Sequence, residues 1–168
     1  NDVLKVGGWY DYYHSQIRFD LSGMPLVATQ ARIFLFPQDC AGGTTNINFY
    51  RNGANWQTST VAWSNAPYSN WVGLGPPPTQ GWWYSIDITD IYNQWRSGTP
   101  GQQNYGLKMA PTNNADTWSN FLGSSYGVEW QRPQIHVYYN PTGTDSLPKF
   151  KWPLQAPSYA NRNVSQEW

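Results

Sequence analysis

The chain has 168 residues with ten Lys plus Arg against ten Asp plus Glu; charged residues are only 12% of it and aromatics are 17%, including 11 Trp and 12 Tyr. A disordered chain needs the reverse balance of charge and aromatics, a nucleic-acid binder needs a basic field, and no apolar run of ~18 residues is present to cross a membrane as a helix. The length suits one domain with an appendage, the lone Cys40 excludes an intrachain disulfide, and little Lys or Glu beside much Tyr, Trp, Asn, Ser and Thr points to an extracellular protein.

Turn signals are dense, with 15 Gly and 13 Pro and no collagen period. Short alternating runs between turns predict an all-β sandwich or barrel. The first strand is expected from Tyr12 to Leu21. Tyr13, Ser15, Ile17, Phe19 and Leu21 share its core face; Tyr12, His14, Gln16, Arg18 and Asp20 share its wet face. A strand over 29–36 has Ala31, Ile33 and Leu35 inward, and Pro37 ends it. One over 46–51 has Ile47 and Phe49 inward, before an Asn52-Gly53 turn. A short strand is expected at 60–63. Residues 67–81, with Pro76-Pro77-Pro78, read as loop. A strand from Trp82 to Ile88 leads to the single helix, 91–97 within a 90–97 element, with Thr89-Asp90 as its cap and Ile91 and Trp95 docking it. Strands near 105–110, 118–122 and 133–139 complete the domain. Residues 141–148 read as a Pro/Gly/Ser/Thr linker, and 149–168 as a strand-like tail.

Five stretches carry a family resemblance in order: LKVGGWYDYYHSQIRFDLSGMP at 4–25, TVAWSNAP at 60–67, WYSIDITDIYNQWRSG at 83–98, NYGLKM at 104–109 and RPQIHVYY at 132–139. Residues 1–140 thus resemble DNRLRE-type domains of secreted and surface prokaryotic proteins. The resemblance implies an antiparallel two-sheet, jelly-roll-like sandwich. It also implies a carbohydrate-binding module, with acidic polysaccharide such as alginate among the family's ligands. Compared with that family, one strand is missing at the front and one strand-like segment is spare at the back.

Nucleophilic catalysis needs a base beside a nucleophile and a group that orients the base. His14 and His136 are the only histidines, and no Gly-x-Ser-x-Gly elbow is present. Asp87 with Asp90, or Glu129, could offer paired carboxylates, but Asp90 at a helix start reads as a cap. Tyr12, His14 and Arg18 could serve a lyase, and a solvated sheet face has the same look. No compact metal motif occurs. A structural calcium on loop oxygens and Asp2, Asp11 or Asp116 is the metal to test, and no other cofactor is expected.

Aromatics carry the functional reading. Sugar rings stack their C–H faces on Trp and Tyr while polar neighbours bond the hydroxyls. The candidate glycan-binding residues are Trp9, Tyr10, Tyr12, His14, Arg18, Trp56, Trp71 and Lys108, with the cations facing uronates. The expectation is a non-catalytic polysaccharide-binding module. The alternative is a filament subunit. In it Phe150, Trp152 and Leu154 form a strand donated to a neighbouring copy. The tail could instead pack on its own sandwich. It could also lead into a further domain, since its Lys-Phe-Lys-Trp-Pro-Leu run is similar to segments preceding bacterial cell-wall peptidase domains.

Overall fold

A computed structural model describes residues 3–8, 13–41, 45–57, 61–113, 116–140 and 165–166. In chain order the strands are β1 (Val3–Gly8), β2 (Ser15–Ile17), β3 (Gln30–Leu35), β4 (Pro37–Ala41), β5 (Ile47–Asn52), β6 (Ser69–Gly75), β7 (Tyr84–Asp87), β8 (Leu107–Pro111), β9 (Thr117–Leu122), β10 (Gln134–Tyr138) and β11 (Ser165–Gln166). Helix α1 (Thr89–Arg96) lies between β7 and β8, and 3₁₀ turns occupy Trp63–Asn65 and Glu129–Gln131. The strands form a five-stranded sheet, β11-β2-β8-β5-β6, and two three-stranded sheets, β10-β3-β7 and β1-β9-β4. Every strand pair is antiparallel. The all-β sandwich expected from alternation is therefore observed, with the layer opposite the five-stranded sheet divided in two.

Alternation sets the core. Ile47 and Phe49 of β5, Leu107 and Met109 of β8 and Ile17 of β2 point inward and are buried. They meet Ala31, Ile33 and Leu35 of β3, Tyr84 of β7, Leu4 and Val6 of β1 and Phe121 of β9 in one cluster. Phe49 stacks on Tyr84 at 6.3 Å, and Tyr84 meets Phe121 at 5.5 Å. Burial of such rings and branched chains is the main stabilising contribution, at roughly 25 cal/mol per Å² of apolar surface.

Helix α1 closes one end. Its anchors are Tyr92, fully buried, and Trp95, with Ile91 packed at the margin. The Tyr92 hydroxyl donates to the carbonyl of Pro25, and the Asn93 side chain accepts from the Ala28 N–H at 2.8 Å and donates to its carbonyl at 3.0 Å. Asp87, not Asp90, serves the helix start: its carboxylate accepts from both the N–H and the hydroxyl of Thr89. Those bonds from Thr89 hold the Asp87 carboxyl below its usual range, with a smaller contribution from Arg32.

Several expectations are corrected. The 60–63 strand is not observed: Thr60 lies outside the described residues, and a 3₁₀ turn begins at Trp63. The expected loop at 67–81 contains β6; β3 does end at Leu35, ahead of Pro37, but Pro37 itself opens a further strand, β4. Pro37 stands where the register with β9 shifts, a place that tolerates a missing donor. Cys40 is half-buried opposite Ser119, and burial pushes its thiol upward in pKa. The segment 149–154 lies outside the described residues, as do the linker positions 141–148.

Asn93→Ala removes both bonds to the buried Ala28 peptide and should lower stability by about 2 kcal/mol, since unmade buried hydrogen bonds cost ~1–3 kcal/mol. Urea unfolding measures it. A loss under about 0.5 kcal/mol would mean that water replaces the amide without penalty.

Candidate functional site

The outer face of the five-stranded sheet gathers chemistry that its strands scatter in sequence. Pairing places Gln16 of β2 beside Lys108 of β8, Lys108 beside Tyr50 of β5, and Tyr50 beside Trp71 of β6. At a strand spacing of ~4.8 Å this row is about 14 Å long. A second row runs from Ala110 through Asn48 to Leu74. His14, two residues before Gln16, takes the same side by alternation and lies near enough to Lys108 to feel its charge.

A bulge makes the β6 end of this face. The register shifts between Phe49 and Tyr50, so Trp71 and Leu74, three residues apart, both face outward. Trp71 is 60% exposed, and its indole N–H donates to Asn48 Oδ1 at 3.0 Å, which fixes the ring's orientation. Lys108 Nζ sits 4.5 Å from the Tyr50 ring centroid, a cation–π contact that steadies both groups.

At the β2 end the face is sealed by polar packing. Gln16 Oε1 accepts from Asn52 Nδ2 at 2.9 Å, and both residues are buried. Asn52 Nδ2 and Trp56 Nε1 both donate to the Tyr105 carbonyl. Arg18 lies over the Trp56 ring at 5.6 Å and donates to Asn55 Oδ1 at 2.6 Å. Gly106 lets these strands close up: its φ is +82°, and a Cβ there would come within 2.3 Å of the Ile17 carbonyl oxygen.

The described strands of this face, β2, β5, β6 and β8, contain no Asp or Glu. The ion pairs among the described residues lie elsewhere, Arg32–Asp87 and Arg132–Glu129. Burial first, and the neighbouring Lys108 second, lower the His14 pKa to about 4. Burial also lowers Lys108. At neutral pH the face therefore presents His14 as a neutral imidazole, beside the side chains of Lys108 and Arg18.

Of the residues singled out from sequence, the structure brings His14, Arg18, Trp71 and Lys108 to this one face. Trp56 is there too, but only 5% exposed: it is a buried platform for Arg18, not an open stacking surface. Trp9, Tyr10 and Tyr12 lie outside the described residues, as do Phe150, Trp152 and Leu154. Sequence reasoning missed Tyr50, Asn48, Gln16 and Asn52 as members of the site. The outward parity of 46–51 held the signal for Tyr50 and Asn48. The carboxylates are dispersed: Asp87 is tied to Thr89 and Arg32, and Glu129 to Arg132. No group of three His, Cys, Asp or Glu suited to a metal occurs among the described residues; Asp2 and Asp11 lie outside them.

The lowered His14 pKa has a thermodynamic consequence. The unfolded chain takes up the proton near pH 6.5 and the folded chain only near pH 4, so this contribution to stability is present above about pH 6.5 and is lost as pH falls toward 4. His14→Gln should thus show a shallower loss of melting temperature than the parent between pH 7 and 4.5. Equal slopes would show that His14 is not held neutral by the fold.

No curated protein matches this chain. A family model described as carbohydrate-binding module family 96 matches residues 4–134, from within β1 to the first residue of β10, and so takes in all the strands of the face just described except β11. The chain belongs to carbohydrate-binding module family 96.

Proposed function

We propose that this domain is an extracellular, non-catalytic module that binds an acidic polysaccharide across the outer face of its five-stranded sheet. The row Gln16–Lys108–Tyr50–Trp71 carries the reading. Trp71 offers an exposed, hydrogen-bond-oriented ring for the apolar face of a sugar. Asn48 and neutral His14 supply donors and acceptors for hydroxyls, while buried Gln16 holds Asn52 beneath the face. Lys108 and Arg18 supply positive charge without a carboxylate in the same strands, which suits uronate groups. Arg18 is already committed to Asn55 and Trp56, a positioning arrangement rather than that of a mobile acid or base. Few charges, many aromatics and membership of a carbohydrate-binding family together support work outside the cell.

The filament reading draws less support. The described part of the tail, β11, pairs with β2 of the same chain through Ser165 with Gln16 and Gln166 with Ser15. Sedimentation of the full chain beside a 1–146 truncation tests it. The binding reading expects no polymer from either, and long polymers from the full chain alone would favour strand donation.

Trp71→Ala should weaken retardation in gels containing alginate or polygalacturonate about tenfold, the loss of ~1.4 kcal/mol expected for one stacking ring. Lys108→Met should weaken it similarly, and the parent's affinity should fall as salt rises from 20 to 300 mM, in keeping with charge screening. Unchanged binding in both variants would remove this face from consideration.

A further inference from the structure

The opposite layer carries a second aromatic surface. Phe34 of β3, Trp83 just before β7, Phe36 and Trp130 form a chain of rings: Phe34–Trp83 6.3 Å, Phe36–Trp83 5.4 Å, Phe36–Trp130 5.9 Å and Trp83–Trp130 6.4 Å. His136 packs on Phe34 at 4.4 Å. These residues are on the outer side of the β10-β3-β7 sheet, because Ile33, Leu35 and Tyr84 take the inner side. Tyr84 faces Phe49 of the five-stranded sheet, so the two outer faces point away from each other.

Trp130 is 58% exposed and Trp83 is 39% exposed, yet neither is loosely held. Edge-to-face packing on Phe34 and Phe36 braces Trp83. Trp130 sits in the 3₁₀ turn Glu129–Gln131, and its carbonyl accepts from Gln134 Nε2 at 2.7 Å. Arg132 donates to the Tyr126 carbonyl and pairs with Glu129, which ties down both sides of that turn. Rings that are exposed and already ordered lose little entropy on binding a ligand.

The polar surroundings define the ligand. Gln134 Oε1 and His136 Nε2 are 3.0 Å apart at the edge of the rings, a pair able to donate to and accept from hydroxyls. The nearby cations are balanced within the protein: Arg32 by Asp87 and Arg132 by Glu129, each at 3.5 Å. Flat apolar rings with a neutral hydrogen-bonding rim and internally compensated charge complement a sugar ring that bears hydroxyls and no carboxylate.

We propose that the outer face of the β10-β3-β7 sheet is a second carbohydrate site, built on Trp83 and Trp130, for an uncharged polysaccharide. It extends the acidic-polysaccharide reading of the five-stranded sheet but does not require it. With sites on opposite faces, one domain joins a neutral chain to an acidic one.

Affinity electrophoresis of the full chain in gels of glucomannan, xyloglucan, hydroxyethylcellulose and a β-1,3-glucan tests this. The parent should be retarded by at least one of them. Trp130→Ala and Trp83→Ala should weaken that retardation about tenfold, and Trp130→Tyr should restore most of it. Retardation by polyuronate should be unaffected by Trp130→Ala, and Trp71→Ala should keep the neutral-gel retardation. Melting curves of the Trp variants establish that the fold persists, and the exposed Trp130 serves if Trp83→Ala does not fold. The proposal is overturned if no neutral polysaccharide retards the parent, if folded Trp130→Ala behaves as the parent, or if Trp130→Ala turns a dimeric parent into a monomer without affecting the gels. Loss of polyuronate binding alone would count against the first face and leave this one standing.

Discussion

The ring of Tyr84 joins the three sheets, stacking on Phe49 of one and meeting Phe121 of another while it belongs to the third. Its place constrains β6. A Cβ at Gly75 would lie 2.0 Å from the Tyr84 hydroxyl and 2.9 Å from the Phe49 ring, so only glycine lets β6 close on that stack. The approach of β6 in turn brings Trp71 beside Tyr50. A core aromatic thereby determines where a surface aromatic can stand, and the exposed ring inherits the rigidity of the buried ones. Burial raises the Tyr84 phenol pKa far above its usual value, so the group stays neutral across the physiological range.

The two outer faces share a plan and differ in electrostatics. Each sets exposed indole surface, Trp71 on one and Trp83 with Trp130 on the other, among side chains that donate and accept hydrogen bonds. On the five-stranded sheet the cations Lys108 and Arg18 are held by rings, through contacts with Tyr50 and Trp56. A ring steadies a cation without neutralising it, so its field remains available to an anion. On the other sheet Arg32 and Arg132 face carboxylates, which cancel most of their field. On the reading proposed above, the choice between ring and carboxylate as the partner of a cation is what would separate a surface for uronates from one for neutral sugars.

Much of this was legible in the sequence, and the failures have physical causes. The strands β3, β8 and β10 show clean period-two patterns, and Ile91 with Trp95 places α1 within two residues of its start. Strand β6 reads as loop because its bulge breaks alternation, and with glycines at 73 and 75 only Val72 remains to pack inward on the core from this stretch. Strand β4 was missed because Pro37 reads as a terminator, although a register shift beside it removes the need for its donor. The sequence distinguished His14, Arg18, Lys108 and Trp71 by residue type, but only the pairing register shows that Tyr50 joins them. Trp56 shows the opposite limit: its loop position suggested exposure, while hydrogen bonding to Tyr105 and cover by Arg18 bury it. Whether a loop tryptophan plugs or projects depends on contacts distant in sequence.

The edges of the five-stranded sheet bear on how it can be used. A free sheet edge invites another chain to add as a strand. At one edge β2 is only three residues long, and β11 of the same chain already pairs with it. At the other, β6 carries the bulge and runs directly into Pro76-Pro77-Pro78, which cannot donate to a ladder. Short length, local covering, a bulge and prolines are the devices by which natural sheets discourage edge-to-edge pairing. With both edges blunted, the surface left open to a partner is the face. A partner on a face meets side chains rather than backbone; on the face proposed as the binding surface those are Trp71, Tyr50, Lys108 and their neighbours, and a ligand with apolar faces and hydroxyl rims suits such a surface better than an extended peptide, whose backbone needs a free edge.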